Sequence, residues 1–169
     1  MTTPFDQAVT RHGPTVLRVC RAVLGPGPDA DDAWSETFLS LLRAWPDLAD
    51  GTNVEAWLVR VAHRRAVDVV RRRARQAVPT DTVPEQVSDL GVPGHRDDGP
   101  GDTGLWDAVA ALPERQRLAV AYHFLGGLTH AETAVLIGGR ADAVRRASAD
   151  GVRTLRRIYT TQKESPDDH

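Results

Sequence analysis

The stretch VPTDTVPEQVSDLGVPGHRDDGPGDTG, residues 78–104, constrains the fold of this 169-residue chain more than any other feature. It is rich in proline, glycine and acidic residues and has no sustained periodicity, so it cannot supply a regular buried element. We predict a flexible linker with a net charge of −5 over residues 77–104. The chain is long enough for one domain or two small ones, and the position of the linker favours two.

Three helices are predicted before the linker. Apolar residues recur at helical spacing over residues 4–24, and the GPGP stretch that follows ends this first helix. The second helix has Asp29 as its N-cap and ends before Pro46, and the third runs from about 53 to 76 with Asn53 as its cap. The apolar side of the second helix consists of Ala33, Phe38, Leu41, Leu42 and Trp45.

Four helices are predicted after the linker. Residues 105–112 form a short helix, and Pro113 opens the next helix from its first position. Thr129 and Glu132 form a capping box for a third helix, and a glycine turn leads to a last helix over residues 140–158. This final pair has the proportions of a helix-turn-helix, although a purely structural helical hairpin would show the same pattern.

The predicted fold class is therefore all-α, with two small helical domains joined by a flexible acidic linker and a helix-turn-helix in the second domain. The predicted boundaries are 1–76 for the first domain, 77–104 for the linker, 105–158 for the second domain and 159–169 for a tail.

Positive charge is concentrated on the third helix. Residues 55–76 carry a net charge of +5 in a chain whose overall charge is −2. At 100° per residue, one stripe of arginines lies away from the centre of the apolar face. The stripe consists of Arg60, Arg64, Arg71 and Arg75. Arg65 and Arg72 lie nearer the apolar side, where their stems can snorkel, and only Asp68 is near enough to pair. We interpret the stripe as a nucleic-acid surface rather than a merely solvated face.

The sequence gives little support for an enzyme. Six histidines are scattered without ligand spacing, and the single cysteine has no evident base. We therefore expect no enzyme, no metal and no cofactor, and we interpret Cys20 as a buried apolar residue. No apolar run approaches the roughly 18 residues of a membrane span, and the first residues do not resemble a secretory signal. A cytoplasmic protein without membrane insertion is expected.

In their order and spacing, these segments resemble a bacterial RNA polymerase sigma factor of the extracytoplasmic-function (ECF) type. DADDAWSETFLSLLRAW resembles the polymerase-binding helices of that family, and AWLVRVAHRRAVDVVRRRAR resembles its helix that melts and reads the −10 promoter element. LPERQR followed by LTHAETAVLIG resembles the start of its −35-reading domain. The resemblance implies an alternative sigma factor that directs RNA polymerase to specific promoters and helps to open the −10 region.

The resemblance also implies partners and residue roles. The partners are core RNA polymerase and promoter DNA, with an anti-sigma factor as a further candidate. The polymerase-binding residues are Asp31, Asp32, Glu36, Thr37, Phe38, Leu39 and Arg43. The residues that fit the −10 helix are Trp57, Leu58, Ala62, Asp68 and Arg71–Arg73, and the candidate −10 residues also include Arg60, Arg64, Arg65 and Arg75. The −35 residues are Thr129, Arg140, Arg145, Arg146 and Arg153. Phe38 and Leu39 fit the core equally well, and packing fits Trp57 better than base stacking does.

Two departures from the family pattern stand out. Arg64 occupies a position where the family usually has an asparagine that lines the pocket for a flipped-out −10 base. The last helix differs from the usual pattern at Gly139, Ala147, Ser148, Asp150 and Val152. Gly151 inside that helix costs about 1 kcal/mol relative to alanine. The −35 contact is therefore expected to be weak, altered or lost. This expectation motivates an alternative function, a sigma-like regulator that binds polymerase or a partner without initiating transcription.

Overall fold

A computed structural model describes residues 1, 3–77 and 103–163 of the chain. Within these ranges every regular element is helical and no strand occurs, which confirms the predicted all-α class. Most of the predicted linker, 77–104, and the end of the predicted tail, 159–169, lie outside the described residues. None of the helices in the described ranges is both long and apolar enough to cross a membrane.

The first three helices lie at the predicted positions. They are α1 (Pro4–Leu24), α2 (Pro28–Ala44) and α3 (Val54–Gln76). A capping box starts α1, because the Thr3 hydroxyl accepts a hydrogen bond from the Asp6 N–H at 3.1 Å and the Asp6 carboxylate accepts one from the Thr3 N–H at 2.9 Å. The predicted cap of α3 is confirmed, since the Asn53 side chain accepts a hydrogen bond from the Ala56 N–H at 3.1 Å.

The predicted N-cap of α2 is wrong. Gly27 occupies the cap, and Pro28 takes the first helical position, where its fixed φ suits the helix and its missing N–H leaves no donor unpaired. Asp29 lies one residue further into the helix and accepts a hydrogen bond from Arg73 Nε at 2.7 Å. The acidic side chain therefore joins two helices instead of capping its own. A short 3₁₀ turn, Trp45–Asp47, follows α2.

Helices α1, α2 and α3 pack around one apolar core and form the first lobe. Among the side chains buried there are Val16, Val19, Leu41, Leu58 and Val59. The Trp34 indole N–H donates to the Gly13 carbonyl at 2.9 Å, where α1 and α2 approach closely. Cys20 is 1% exposed, and burial raises the pKa of its thiol to about 12, as expected for a buried apolar residue.

Within the described residues, the second lobe contains four α-helices. They are α4 (Thr103–Ala110), α5 (Glu114–Ala119), α6 (His130–Ile137) and α7 (Ala141–Lys163). Pro113 occupies the N-cap of α5 instead of the predicted first helical position. The Thr129–Glu132 capping box is confirmed, and Gly138 and Gly139, with φ of +82° and +95°, make the turn between α6 and α7.

Between α5 and α6 the chain forms a π-helical turn, Val120–Leu125, which the sequence pattern did not predict. The Gly126 N–H donates to the Ala121 carbonyl, five residues back, at 2.8 Å. Such turns are rare and often occur at functional positions. Tyr122 lies within this turn and is completely buried.

The two lobes pack against each other. The cluster that forms the core of the first lobe also contains Trp106, Val109, Tyr122 and Leu128 of the second lobe. The sequence predicted two helical units joined by a linker but did not predict this contact. It changes the surroundings of several candidate residues on α3.

Candidate nucleic-acid interface

The basic side of α3 is largely open to solvent. Its exposed arginines are Arg60, Arg64, Arg71, Arg72 and Arg75, which we call the arginine face. Arg72 is therefore exposed, like the four arginines of the predicted stripe. Arg65 is half-buried and donates to the Ser40 hydroxyl of α2 at 2.8 Å, so it helps to join two helices of the first lobe.

The expectation that only Asp68 could pair with the basic residues of α3 is wrong. Arg73 binds Asp29 at the start of α2, and Arg60 Nη2 lies 3.2 Å from Glu132 Oε1 in α6. Both acidic partners belong to other helices, so residue spacing along α3 could not identify them. Asp68 is exposed and makes no ion pair with the described residues.

Four members of the arginine face have no acidic partner among the described residues. They are Arg64, Arg71, Arg72 and Arg75. Their charges lie on one helix and repel one another at low ionic strength. A row of exposed guanidinium groups of this kind can bind successive phosphates of a nucleic-acid backbone.

The start of α3 is closely packed. Trp57 is half-buried and packs against the core, which fits the packing interpretation of this residue. Glu55 Oε2 lies 3.0 Å from His12 Nδ1, which ties α3 to α1. The surface that remains open begins further along the helix, at Arg60 and Arg64.

The second lobe contacts this part of α3 through the π-helical turn and α6. The Tyr122 hydroxyl lies 2.7 Å from His63 Nδ1, and the two rings meet edge to face with centroids 5.1 Å apart. A Cβ atom added at Gly126 would lie 3.0 Å from Val59 Cγ1, so the backbone of the turn comes very close to α3. Sequence reasoning missed His63 as a contact residue, because its partner is 59 residues away in the chain.

Burial controls the ionisation of the two residues in this contact. Burial, reinforced by the charge of Arg64, lowers the pKa of His63, while a backbone hydrogen bond with Leu136 opposes the shift. Burial also raises the pKa of Tyr122. Neutral histidine and neutral tyrosine are therefore the forms that the contact favours.

The exposed side of α2 carries most of the predicted polymerase-binding residues. Asp31, Asp32, Glu36, Leu39 and Arg43 are all exposed. Thr37 is buried, and its hydroxyl donates to the Ala33 carbonyl at 2.7 Å.

Phe38 and Leu42 of α2, both predicted to lie on its apolar side, have different surroundings. Phe38 is only 5% exposed and contacts Trp34, so it belongs to the core and not to the docking surface. Leu42, predicted to lie on the apolar side, is 50% exposed, close to the 42% exposure of Leu39. Because these two leucines are three residues apart, they lie on the same side of the helix.

The predicted −35 residues lie around the helix-turn-helix. Thr129 caps α6, and its hydroxyl accepts a hydrogen bond from the Glu132 N–H at 3.1 Å. Arg145 pairs with Asp142 at 3.2 Å and Arg153 with Asp150 at 2.9 Å, both within α7. Such exposed pairs are weak and can exchange for a phosphate. Arg140 and Arg146 are also exposed, and no described carboxylate pairs with them.

Several of the unusual residues of the last helix have a packing role. A Cβ atom at Gly151 would lie 2.7 Å from Val120 Cγ2, so only glycine lets α7 approach the π-helical turn this closely. Ser148 is 2% exposed and donates to the Arg145 carbonyl at 2.9 Å, and Ala147 packs beside the small cluster of Ala119, Ala134 and Val144. At Gly139 an added Cβ would collide with the Arg115 guanidinium, which donates to the Gly138 carbonyl at 2.7 Å.

Within residues 1, 3–77 and 103–163, no group of three or more histidine, cysteine or carboxylate side chains is arranged to hold a metal ion. His123 and His130 stack with centroids 3.8 Å apart, but their imidazoles lie nearly parallel and so do not converge on a common point. The candidate functional surfaces are thus the charged faces of α2, α3 and α7.

Comparison with known families identifies the class of protein. The Sigma-70 region 2 family matches residues 8–76, and the Sigma-70, region 4 family matches residues 103–155. The two matches together include every helix of both lobes apart from the first residues of α1 and the end of α7.

Individual relatives identify the family more closely. The ECF RNA polymerase sigma factor SigD of Mycobacterium tuberculosis is 31% identical over 150 residues, which cover 85% of this chain and 71% of SigD. SigE of Mycolicibacterium smegmatis, also an ECF RNA polymerase sigma factor, is 30% identical over 155 residues, which cover 90% of this chain and 60% of SigE. The chain belongs to the ECF family of RNA polymerase sigma factors, as its sequence motifs predicted.

A solved structure shares the fold. The sigma factor RpoE from Bartonella quintana, determined in complex with the anti-sigma factor NepR, aligns with a TM-score of 0.68. The alignment covers 92% of this chain and 96% of RpoE at 16% identity. The likeness therefore extends over both lobes.

Proposed function

We propose that this chain directs RNA polymerase to specific promoters and helps to open them, using the first domain (1–76) for polymerase and the −10 element and the second (105–158) for the −35 element. The observation that carries the proposal is the arginine face of α3, which lies inside the segment that matches Sigma-70 region 2. Four of its arginines are exposed and lack a described acidic partner. The chain works by binding and strand separation, without chemistry of its own.

In this proposal, Arg71, Arg72 and Arg75 hold the phosphate backbone, and Arg64 lies nearest to the unpaired bases. A guanidinium offers only donors, whereas an asparagine amide offers a donor and an acceptor. Arg64 therefore suits an acceptor-rich base edge such as that of guanine, or stacking on a base. Asp68 lies between these groups, where it repels misplaced phosphates.

Core polymerase binds the exposed side of α2 in this proposal. Leu39 and Leu42 supply the apolar contacts, and Asp32, Glu36 and Arg43 supply charged contacts around them. Side chains of this kind, exposed leucines flanked by charge, are typical of a surface that is covered in a complex.

The −35 element is read by α7 and its preceding turn. Arg140 and Arg146 are free to contact phosphates, and Arg145 and Arg153 become available when their weak pairs open. Since the small residues of α7 have a packing role, they are no longer a reason to expect a defective helix. An anti-sigma factor is a further proposed partner, and the place of action is the cytoplasm.

Transcription in vitro tests the proposal. The full chain and purified core polymerase from the encoding organism would transcribe a library of genomic fragments, and the RNA 5′ ends would be sequenced. We expect starts that require the chain and share upstream sequence. If the chain bound polymerase but produced no such starts, the regulator without initiation activity would be the correct function.

A further inference from the structure

The first turns of α7 present a small set of charged side chains to solvent. Val144 is completely buried among residues of α5 and α6, and Ser148 continues this buried side one turn further along. Asp142, Arg145 and Arg146 lie away from the buried side, and all three are exposed. They are the first charged residues of the second helix of the helix-turn-helix.

The turn before α7 fixes the position of this end of the helix. The Arg115 guanidinium of α5 donates to the Gly138 carbonyl at 2.7 Å. Gly138 and Gly139 both have a positive φ, which glycine adopts without strain. In a helix-turn-helix, the residues near the start of the second helix contact base edges in the major groove. The first turns of α7 are therefore the part of the second lobe best placed to read a base.

Asp142 is an acidic group on a surface that is otherwise basic at this end of α7, where Arg140, Arg145 and Arg146 are also exposed. Arg145 Nη1 lies 3.2 Å from Asp142 Oδ1, and the two side chains are 65% and 74% exposed. A carboxylate close to DNA is repelled by the phosphates, so it reduces non-specific affinity. It is favourable in the major groove only where it accepts a hydrogen bond from a base.

The major groove offers two donors to a carboxylate, the amino groups at cytosine N4 and adenine N6. Adenine also presents the N7 acceptor, which repels a carboxylate, whereas the amino group is the one hydrogen-bonding group of cytosine in this groove. A guanidinium donates to O6 and N7 of guanine. The adjacent side chains of Asp142 and Arg145 are therefore complementary to cytosine and guanine.

We propose that Asp142 is a specificity-determining residue that reads a cytosine in the −35 element, next to a guanine read by Arg145. This inference rests on the proposed function and deepens it, since it names a base that the second domain selects. Exposed ion pairs of this kind are weak, so the two side chains exchange their mutual contact for bases at little cost. Asp142 then accepts from cytosine N4, and Arg145 donates to guanine O6 and N7.

The test measures base preference directly. The full chain, bound to purified core polymerase from the encoding organism, selects from a pool of duplexes with random sequence, and the bound DNA is sequenced. The same selection is made with Asp142→Asn and with Asp142→Ala. Both substitutions are at an exposed site in the first turn of α7, so the fold is retained.

We expect the parent chain to select a shared upstream sequence in which one position prefers cytosine about tenfold. Asp142→Asn should change this preference to adenine, because an amide accepts from N6 and donates to N7. Asp142→Ala should remove the preference at this position and leave the other positions unchanged. The matched control is Asp150→Asn, which removes the same charge from a similar pair with Arg153 at 2.9 Å, about two turns further along α7. It should retain the cytosine.

A purely structural role for Asp142, as a favourable charge near the start of a helix, predicts no change in base preference. If both variants at Asp142 selected the same bases as the parent at every position, the assignment to Asp142 would be wrong. A change at the same position in Asp150→Asn would contradict it too. If the parent chain with polymerase enriched no shared sequence, the proposed function itself would be overturned.

Discussion

At the scale of single residues, small side chains in α7 decide how the second lobe packs. Gly151 lets α7 lie against Val120, and Ser148 satisfies its buried hydroxyl within its own helix. Ser148 departs from the usual family pattern and Gly151 is unfavourable inside a helix, so the sequence alone suggested a weakened helix. Close packing supplies the physical reason, because a larger side chain would meet the π-helical turn.

We predict that Gly151→Ala destabilises the protein. Alanine gains about 1 kcal/mol of helix propensity, but its Cβ would lie 2.7 Å from Val120 Cγ2 in a buried cluster. Overpacking of this kind costs about 1–3 kcal/mol, so a net loss of about 1 kcal/mol is expected. Thermal and urea unfolding of the full chain measure the change.

The matched control is Gly13→Ala in α1, where the added Cβ would make an ordinary contact 3.5 Å from Trp34 Cζ2. This substitution should leave stability unchanged or raise it by up to about 1 kcal/mol. If both alanines stabilised the chain equally, close packing would not be the reason for Gly151.

At the scale of elements, α3 has three different sides. One side packs against α1 and α2 in the first lobe, and another carries the arginine face. A third, near the start of the helix, contacts the second lobe. Helix α2 likewise has a buried side and an exposed apolar side, since Phe38 is in the core while Leu39 and Leu42 are exposed. An amphipathic helix can serve a core and a partner at once when its apolar arc is wider than the core requires.

The arginine face is expected to dominate the salt dependence of DNA binding. Replacing Arg71 and Arg75 by glutamine should reduce the slope of log affinity for single-stranded DNA against log salt by about 0.7 for each arginine. Binding of the full chain to a single-stranded oligonucleotide across a salt series measures it. The control, Arg11→Gln with Arg18→Gln, removes the same charge from exposed sites on α1 and should preserve the slope. An equal reduction of the slope in this control would mean that only the net charge of the chain matters.

The exposed leucines of α2 are expected to bind core polymerase. Leu39→Ser with Leu42→Ser should weaken binding of the full chain to core polymerase by about tenfold or more. The two leucines are exposed in the free chain, and the substitutions remove the apolar area that the polymerase would cover. Stability should change little, since both side chains are already largely exposed. Titration against labelled core polymerase measures the affinity. Val135→Ser, at an apolar site of the second lobe that is 85% exposed, is the control.

At the scale of the whole molecule, contact between the lobes determines which surfaces are open. His63 is the titratable group at its centre, facing Tyr122 from the π-helical turn and the Leu136 backbone from α6, with Arg64 beside it on α3. Since burial and Arg64 lower its pKa, a closed form with the lobes in contact binds a proton less readily than an open form with the lobes apart.

We predict that acidification opens the molecule. The contribution of neutral His63 is fully present above the ordinary histidine pKa of about 6.5 and is lost as pH falls through the lower pKa of the closed form. Spin labels on Ala49→Cys in the first lobe and Ala149→Cys in the second, both exposed sites, report the distance between the lobes. This distance should lengthen as pH drops from about 7.5 to about 5.5. His63→Gln cannot titrate and retains the other histidines. A variant that opened over the same pH range as the parent would assign the effect to another histidine.

The local sequence was sufficient for the positions of the α-helices, for the caps at Asn53 and Thr129, and for the family. Helical periodicity, the Asn53 cap and the Thr129–Glu132 box involve residues at most a few positions apart, so they can be recognised along the chain. The long basic helix and the glycine turn before α7 were found in the same way. The prediction for Asp29 was wrong because an aspartate can either cap a helix or pair with a basic residue. Only its distance to Arg73 in the structure shows that it does the second.

Packing between distant segments determined the rest. The partner of Arg60 is 72 residues away, the partner of His63 is 59 residues away, and the exposure of Leu42 depends on which helices cover α2. No sequence pattern predicted the π-helical turn. Its hydrogen bond spans five residues, and the packing of Tyr122 and Gly126 against the first lobe stabilises it. Burial and charge pairing depend on distances in space, and the packing of the two lobes brings together side chains that are far apart in the sequence.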